Sequence, residues 1–310
     1  MTEAVHKAPV MFHFRIHLKS CSHGLLPEHK TSMLHGILTG EFRRNVCHNM
    51  KISCRDCAFL DNCQYSALFE SPKTSAAVFN HSQSVPPPYL ISCDSRSVDF
   101  APGDPLAFDF LLFGDDVEKY IPQLFAVIQN ISSYPLGENH LPFELDHVEQ
   151  KTSESSFTIM ENEVTARPEP SPWTFQLPER YDKIFIQFAS PFRTQENNEL
   201  VREFVPAVFF NQVRQRFTQL VDPKNKKTLE FPKLPNMHDV HLHHSSWKDI
   251  PCCSSFHGED MILGGVLASF HMNRSSELDA WLPYLFFCEK YHVGKETTFG
   301  FGKYSLWVKQ

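Results

Sequence analysis

Near the end of the chain, Tyr291-His292-Val293-Gly294-Lys295-Glu296-Thr297-Thr298-Phe299-Gly300-Phe301-Gly302-Lys303-Tyr304 sets Gly294, Gly300 and Gly302 among Lys295, Lys303, Thr297, Thr298 and His292. Glycines let backbone N–H groups turn toward an anion without Cβ obstruction. Lysines add charge that favours phosphate. A tight structural turn with a solvated surface is the other reading of these residues. A second grouping is Cys47, Cys54, Cys57 and Cys63, spaced C-x6-C-x2-C-x5-C. Four thiolates in one loop can close a tetrahedral zinc site or hold an iron–sulfur cluster. The spacing does not choose between them, and either would pin the segment structurally. A third is His238, His241, His243 and His244. On a strand, His241 and His243 would share a face as a metal pair does; a solvated polar loop is the commoner outcome.

The elements that must position these groups are legible from periodicity. Met11 to Lys19 alternates apolar and polar residues and predicts a strand. Thr31 or Ser32 can cap a helix running to about Val46, with Leu34, Ile37, Leu38 and Phe42 as its buried stripe and His35 on the border of that stripe. Tyr89–Cys93 and Pro105–Phe113 read as strands, Asp115-Asp116 opens a helix carrying Val117, Ile121, Leu124, Phe125 and Ile128, and a strand follows around Phe143–Leu145. Pro168, Pro170, Pro172 and Pro178 mark a linker or long exposed loop. The plan then recurs: a strand at Ile184–Phe188, a helix from Pro206, a strand at Leu263–Phe270, a helix capped by Ser276 to about Tyr291, and a strand at Tyr304–Val308. Tyr120-Ile121-Pro122-Gln123-Leu124-Phe125 matches Trp281-Leu282-Pro283-Tyr284-Leu285-Phe286. Two copies of strand-helix-strand-strand-helix-strand are expected, an α+β fold of tandem ferredoxin-like (RRM-like) units. The expected domains are 1–168, with a cysteine-rich insertion at 47–63, and 180–310, bearing the Gly-rich loop.

The 310 residues fit about two domains of ~150 each. No run of ~18 apolar residues occurs and the N-terminus has no signal-peptide pattern, so a cytoplasmic protein without a disulfide framework is expected. The net charge of −7 argues against a generic nucleic-acid binder. Most of it resides in residues 138–170, where Lys151 and Arg167 face eight acidic side chains. Around the Gly-rich loop the balance reverses: Lys290, Lys295, Lys303 and Lys309 outnumber Glu289 and Glu296. A local basic patch is compatible with an acidic whole.

Met261-Ile262-Leu263-Gly264-Gly265-Val266, Trp281-Leu282-Pro283 and the segment from His292 to Tyr304 carry a resemblance to the CRISPR-associated RAMP superfamily, most of all to its precursor-CRISPR-RNA-processing endoribonuclease. Pro102–Leu106 and Cys63–Glu70 are similar to further segments of that family, so the resemblance spans nearly the whole chain. It implies an RNA-binding nuclease that cuts CRISPR repeat RNA once per repeat with no metal in catalysis. The 2′-OH attacks the adjacent phosphorus, giving a 2′,3′-cyclic phosphate and a 5′-OH. That chemistry needs a base, an acid and positive charge on the phosphoryl oxygens, and histidine suits the first two roles.

The family places its catalytic histidine on or just after the first helix, which makes His35 the first candidate and His48 the reserve. Relatives carry a histidine one turn later, where this chain has Gly40. Arg43 and Arg44 suit the helix C-terminal dipole and are candidate phosphate contacts. Lys290, His292, Gly294, Lys295, Thr297, Thr298, Gly300, Gly302 and Lys303 make up the expected RNA-binding loop, with Tyr291, Phe299, Phe301 and Tyr304 as candidate base-stacking rings. Ser254-Ser255-Phe256-His257 stands where the family has Ser-Ser-Arg-Gln; Phe256 removes a cation that His257 could partly replace. The alternative within the superfamily is a non-catalytic subunit that holds repeat or guide RNA beside other CRISPR effector subunits.

Overall fold

The computed structural model describes residues 8–70, 86–161, 164–176, 178–222, 229–253 and 260–309. The chain is α+β and divides into two units, each built on its own sheet: Val10–Pro172 with Cys252–Met261, and Trp173–Pro251 with Ile262–Gln310 and Met1–Pro9. Among the described residues no helix is long and apolar enough to cross a membrane.

The N-terminal unit runs β1 (Met11–Ser20), β2 (Gly24–Leu25), α1 (Thr31–Val46), α2 (Gln64–Phe69), β3 (Tyr89–Ser92), β4 (Asp99–Phe100), β5 (Pro105–Phe113), α3 (Ile121–Gln129), β6 (Phe143–Lys151), β7 (Ser156–Glu161) and β8 (Val164–Thr165). Its six-stranded sheet has the order β3-β5-β1-β6-β7-β8. The alternation in β1 is what makes it central. Phe12, Phe14, Ile16 and Leu18 are buried in a core with Leu34, Leu38 and Phe42 of α1 and Leu124, Phe125 and Ile128 of α3. His13, Arg15, His17 and Lys19 take the opposite face, as period-two geometry requires. Phe14 meets Phe125 edge-on at 5.0 Å.

The C-terminal unit runs β9 (Lys183–Phe188), β10 (Gln195–Glu196), β11 (Glu199–Leu200), α4 (Pro206–Val221), β12 (Val240–Cys253), β13 (Asp260–Asn273), α5 (Ser276–Tyr291) and β14 (Tyr304–Lys309). Its four-stranded sheet is ordered β12-β13-β9-β14. Taking β1, β3, β5 and β6 as the first to fourth strands of one half, and β9, β12, β13 and β14 as those of the other, both sheets run second-third-first-fourth.

Three local expectations shift. Lys30, not a hydroxyl, precedes α1 and makes no side-chain cap; Thr31 Oγ1 instead accepts from the Cys93 amide at 3.3 Å. The α5 cap is Ser275, one residue earlier than expected, whose Oγ accepts from Leu278 N at 3.1 Å. The matched proline segments are not equivalent in register. Pro122 lies in the first turn of α3, after a 3-10 turn at Val117–Tyr120, whereas Pro283 lies inside α5.

Candidate functional site

His35 lies on α1 with its half-buried ring against Tyr89 of β3. Its Nε2 is 2.7 Å from the Tyr89 hydroxyl. Burial holds its pKa down to about 4, so the imidazole is neutral at pH 7. His48 is exposed just past the helix, edge-on to Phe59 at 5.7 Å. Arg43 is buried, donates to Ile52 O at 3.3 Å and stands over the Tyr65 ring at 5.4 Å. Arg44 is exposed and pairs with Glu41 one turn back.

The expectation of a zinc or iron–sulfur site at Cys47, Cys54, Cys57 and Cys63 is corrected. Among the described residues, the group of histidine, cysteine and acidic side chains whose ligand atoms all lie within 4.8 Å of one another is His17, His147 and Glu149; no cysteine belongs to it. All four thiols are free. Cys47 ends α1, Cys54 opens a 3-10 turn, and Cys63 stands between a second such turn and α2. The pocket they line also holds Arg43 and Tyr65 and leaves about 10 Å³, about one water and far below an iron–sulfur cluster. Cys54 and Cys63 pack against the hydrophobic core, and burial pushes the Cys54 thiol pKa up. They serve as small apolar side chains.

The loop from His292 to Lys303 is closed by backbone hydrogen bonds, both within itself and to Pro191 and Arg193. Val293 N donates to Gly302 O, Lys295 N to Arg193 O, Gly300 N to Thr297 O, Phe301 N to Glu296 O and Gly302 N to Pro191 O. Gly302 has φ +70°, and a Cβ there would lie 1.7 Å from Val293 O; only glycine permits that approach. His292, Val293, Thr297, Phe301 and Tyr304 are buried, and Tyr291 is fully enclosed. The outer surface is left to side chains: Lys290 and Lys295 are exposed, Lys303 and Thr298 half-exposed, and Lys295 Nζ donates to Gln195 Oε1. Arg216 of α4, wholly buried, donates Nε (3.0 Å) and Nη2 (2.9 Å) to the Tyr291 carbonyl, fixing the point where α5 hands over to the loop.

Sequence reading missed the rings that are exposed. Tyr291, Phe301 and Tyr304 belong to the core, but Phe185 of β9 stacks with Trp307 of β14 at 5.8 Å, with His271 at 5.4 Å and with His243 at 6.2 Å. Trp307 is 45% exposed. His241 and His243 lie on β12 rather than in a loop, and each stacks on His271, at 4.7 and 4.8 Å. A run of polar residues hid this strand; its register against β13 could not be read from composition. Phe256 and His257 lie outside the described residues. His35, His48, Arg43 and Arg44 belong to the N-terminal unit and the lysine-bearing loop to the C-terminal one.

Both units find counterparts among known proteins. Residues 8–171 match the family model AF_1859_N, described as an N-terminal domain, and residues 186–304 match CRISPR_Cas6, described as CRISPR-associated endoribonuclease Cas6. The chain belongs to the first of these families, and its C-terminal unit is similar to the second. No curated protein matches it. Solved structures share its fold at low identity. A partial Cas6-RT-Cas1--Cas2 complex is 12% identical with a TM-score of 0.58, covering 97% of this chain and 46% of that one. A Cas6 product complex is 13% identical with a TM-score of 0.52, covering 96% and 100%. Thermus thermophilus Cas6 is 12% identical with a TM-score of 0.50, covering 97% and 99%. This chain thus spans under half the length of the chain it matches in the Cas6-RT-Cas1--Cas2 complex.

Proposed function

We propose that the protein is a CRISPR repeat RNA-processing endoribonuclease built from two tandem ferredoxin-like units, cutting by 2′-OH attack without a catalytic metal. The observation that carries this is the match of residues 186–304, which contain the whole lysine-bearing loop, to a family described as a CRISPR-associated endoribonuclease. The shared strand order of the two sheets supports the tandem arrangement. His35 serves as the base for the 2′-OH: burial keeps its ring unprotonated, which suits accepting a proton. His48 is the reserve, an exposed imidazole that could protonate the leaving 5′ oxygen. Lys290, Lys295 and Lys303, with Arg44, meet phosphates, while His292, Gly294, Thr297, Thr298, Gly300 and Gly302 hold the loop in shape. Unpaired bases stack on Trp307 and Phe185. The protein works in the cytoplasm on RNA.

The test is a cleavage assay on repeat RNA with EDTA present. The expected products carry a 2′,3′-cyclic phosphate and a 5′-OH, and His35→Ala lowers the rate by roughly 10²–10⁴-fold. A linear phosphate product, or full activity in His35→Ala, overturns the mechanism.

One observation favours a second reading. His35 Nε2 is already engaged by the Tyr89 hydroxyl, and a pKa of about 4 leaves almost no imidazolium to act as an acid. In that reading the chain is a non-catalytic subunit that holds repeat or guide RNA among other CRISPR effector proteins. Tight binding without cutting, seen by gel shift and denaturing gel together, decides for it.

A further inference from the structure

The outer face of the N-terminal sheet carries a second set of chemically competent side chains, away from the core. β1 pairs antiparallel with β6 so that His17 lies directly opposite His147, and a bulge follows between His17 and Leu18. Two residues along β6, Glu149 shares the face of His147. The two imidazoles are parallel, with centroids 4.2 Å apart. His17 Nε2 is 3.3 Å from Glu149 Oε2 and His147 Nε2 is 3.9 Å from Glu149 Oε1, so one carboxylate addresses both rings.

What surrounds the trio also has the form of a metal site. His147 Nδ1 is 3.0 Å from Asp146 Oδ2, and Asp146 Oδ1 is held by Lys19 Nζ at 2.5 Å. A carboxylate that accepts a hydrogen bond from Nδ1–H fixes the tautomer and leaves Nε2 with its lone pair toward the ligand position, the outer-shell arrangement of metal-bound histidines. The nearby cations are turned elsewhere. Asp109 takes His13 at 2.9 Å, Arg15 at 3.7 Å and Lys151 at 3.5 Å, while Glu149 has the two histidines and the Ser156 side chain as its partners.

We propose that His17, His147 and Glu149 bind one divalent transition-metal ion, with zinc the favoured occupant, clamping β1 to β6 beside the bulge. Two imidazoles and one carboxylate suit zinc, cobalt, nickel or copper and do not suit magnesium or calcium, which take oxygen ligands. The set is three protein ligands with further positions left to water, and all three are partly exposed, so the ion reaches it from solvent. The role is structural and separate from the four cysteines.

Untagged protein without RNA is titrated with zinc by calorimetry, and with cobalt by visible absorption, so the outcome does not depend on nuclease activity. One zinc per chain, and cobalt bands of a low-coordinate nitrogen–oxygen site, are expected. The double variant His17→Ala/His147→Ala should weaken zinc by more than ~100-fold, Glu149→Gln by a smaller factor, and Asp146→Asn by about 10–100-fold. Circular dichroism checks that each variant is folded; Glu149→Gln keeps shape and volume, so it carries the test if the double variant does not fold. Absence of stoichiometric zinc binding, undiminished binding in Glu149→Gln, or loss of binding on His243→Ala/His271→Ala instead overturns the proposal.

Discussion

At the scale of single residues, burial decides what a titratable group can do. His35 has a folded-state pKa of about 4 against an ordinary 6.5 because its ring is desolvated. Lowering the pH from 6.5 toward 4 therefore protonates the unfolded chain first and removes stability, which is fully present above 6.5. If His35 is the base, the acid limb of kcat/KM lies near pH 4. An acid limb well above pH 4 takes the base role away from His35. Asp109 behaves in the opposite sense. Burial alone would raise its pKa, but the hydrogen bond from His13 and the charges of His13, Lys151 and Arg15 outweigh it and hold the carboxyl at about 2, below the usual 3.8. Its contribution to stability is complete above about pH 3.8 and is lost as the pH falls through 2. Asp109→Asn should cost about 2 kcal/mol at pH 7 in urea unfolding, and the difference from wild type should shrink at pH 2.

At the scale of elements, the hand-over from α5 to β14 is the sensitive point. Arg216 reaches from α4 to the Tyr291 carbonyl, one of the last-turn acceptors that α5 cannot satisfy itself. Arg216→Met leaves that buried oxygen short of its donors and should cost about 1–3 kcal/mol, seen as a lower urea midpoint with an unchanged m-value. Gly302→Ala is more severe: it places a Cβ against Val293 O at a positive φ. A loss above ~2 kcal/mol is expected, with weaker RNA binding in gel shift because the lysines lose their fixed loop. Elements were also where reading the chain worked best. The alternation of β1 identifies its buried face; of the predicted α1 stripe Leu34, Leu38 and Phe42 are buried and Ile37 is half-buried, while Glu41 and Arg43 are buried as well. The strand β12 was obscured because His241, His243 and His244 look like loop composition.

At the scale of the whole molecule, a net charge of −7 coexists with exposed lysines gathered near Tyr291–Tyr304. If those lysines meet RNA phosphates, Lys295→Ala/Lys303→Ala should reduce the slope of log K against log salt by about 1.4, roughly 0.7 for each phosphate of a single strand left without its lysine. Filter binding across a salt series measures this. An unchanged slope would move the interface away from the loop.

The sequence by itself determined the main strands and helices of both units, β12 apart, because hydrophobic periodicity is a local property. It also determined the lysine-bearing loop and the family resemblance, since both reside in contiguous residues. Only the tertiary structure decided which side chains meet. His17 and His147 are 130 positions apart and become neighbours through strand register; the four cysteines are neighbours in the chain and line one small pocket, yet among the described residues none belongs to a set of ligand atoms within 4.8 Å of one another. The same holds for the loop amides, which chain order leaves open and backbone hydrogen bonding closes. Pairing across strands and the satisfaction of buried polar groups depend on the packed whole, and no window along the chain contains that information.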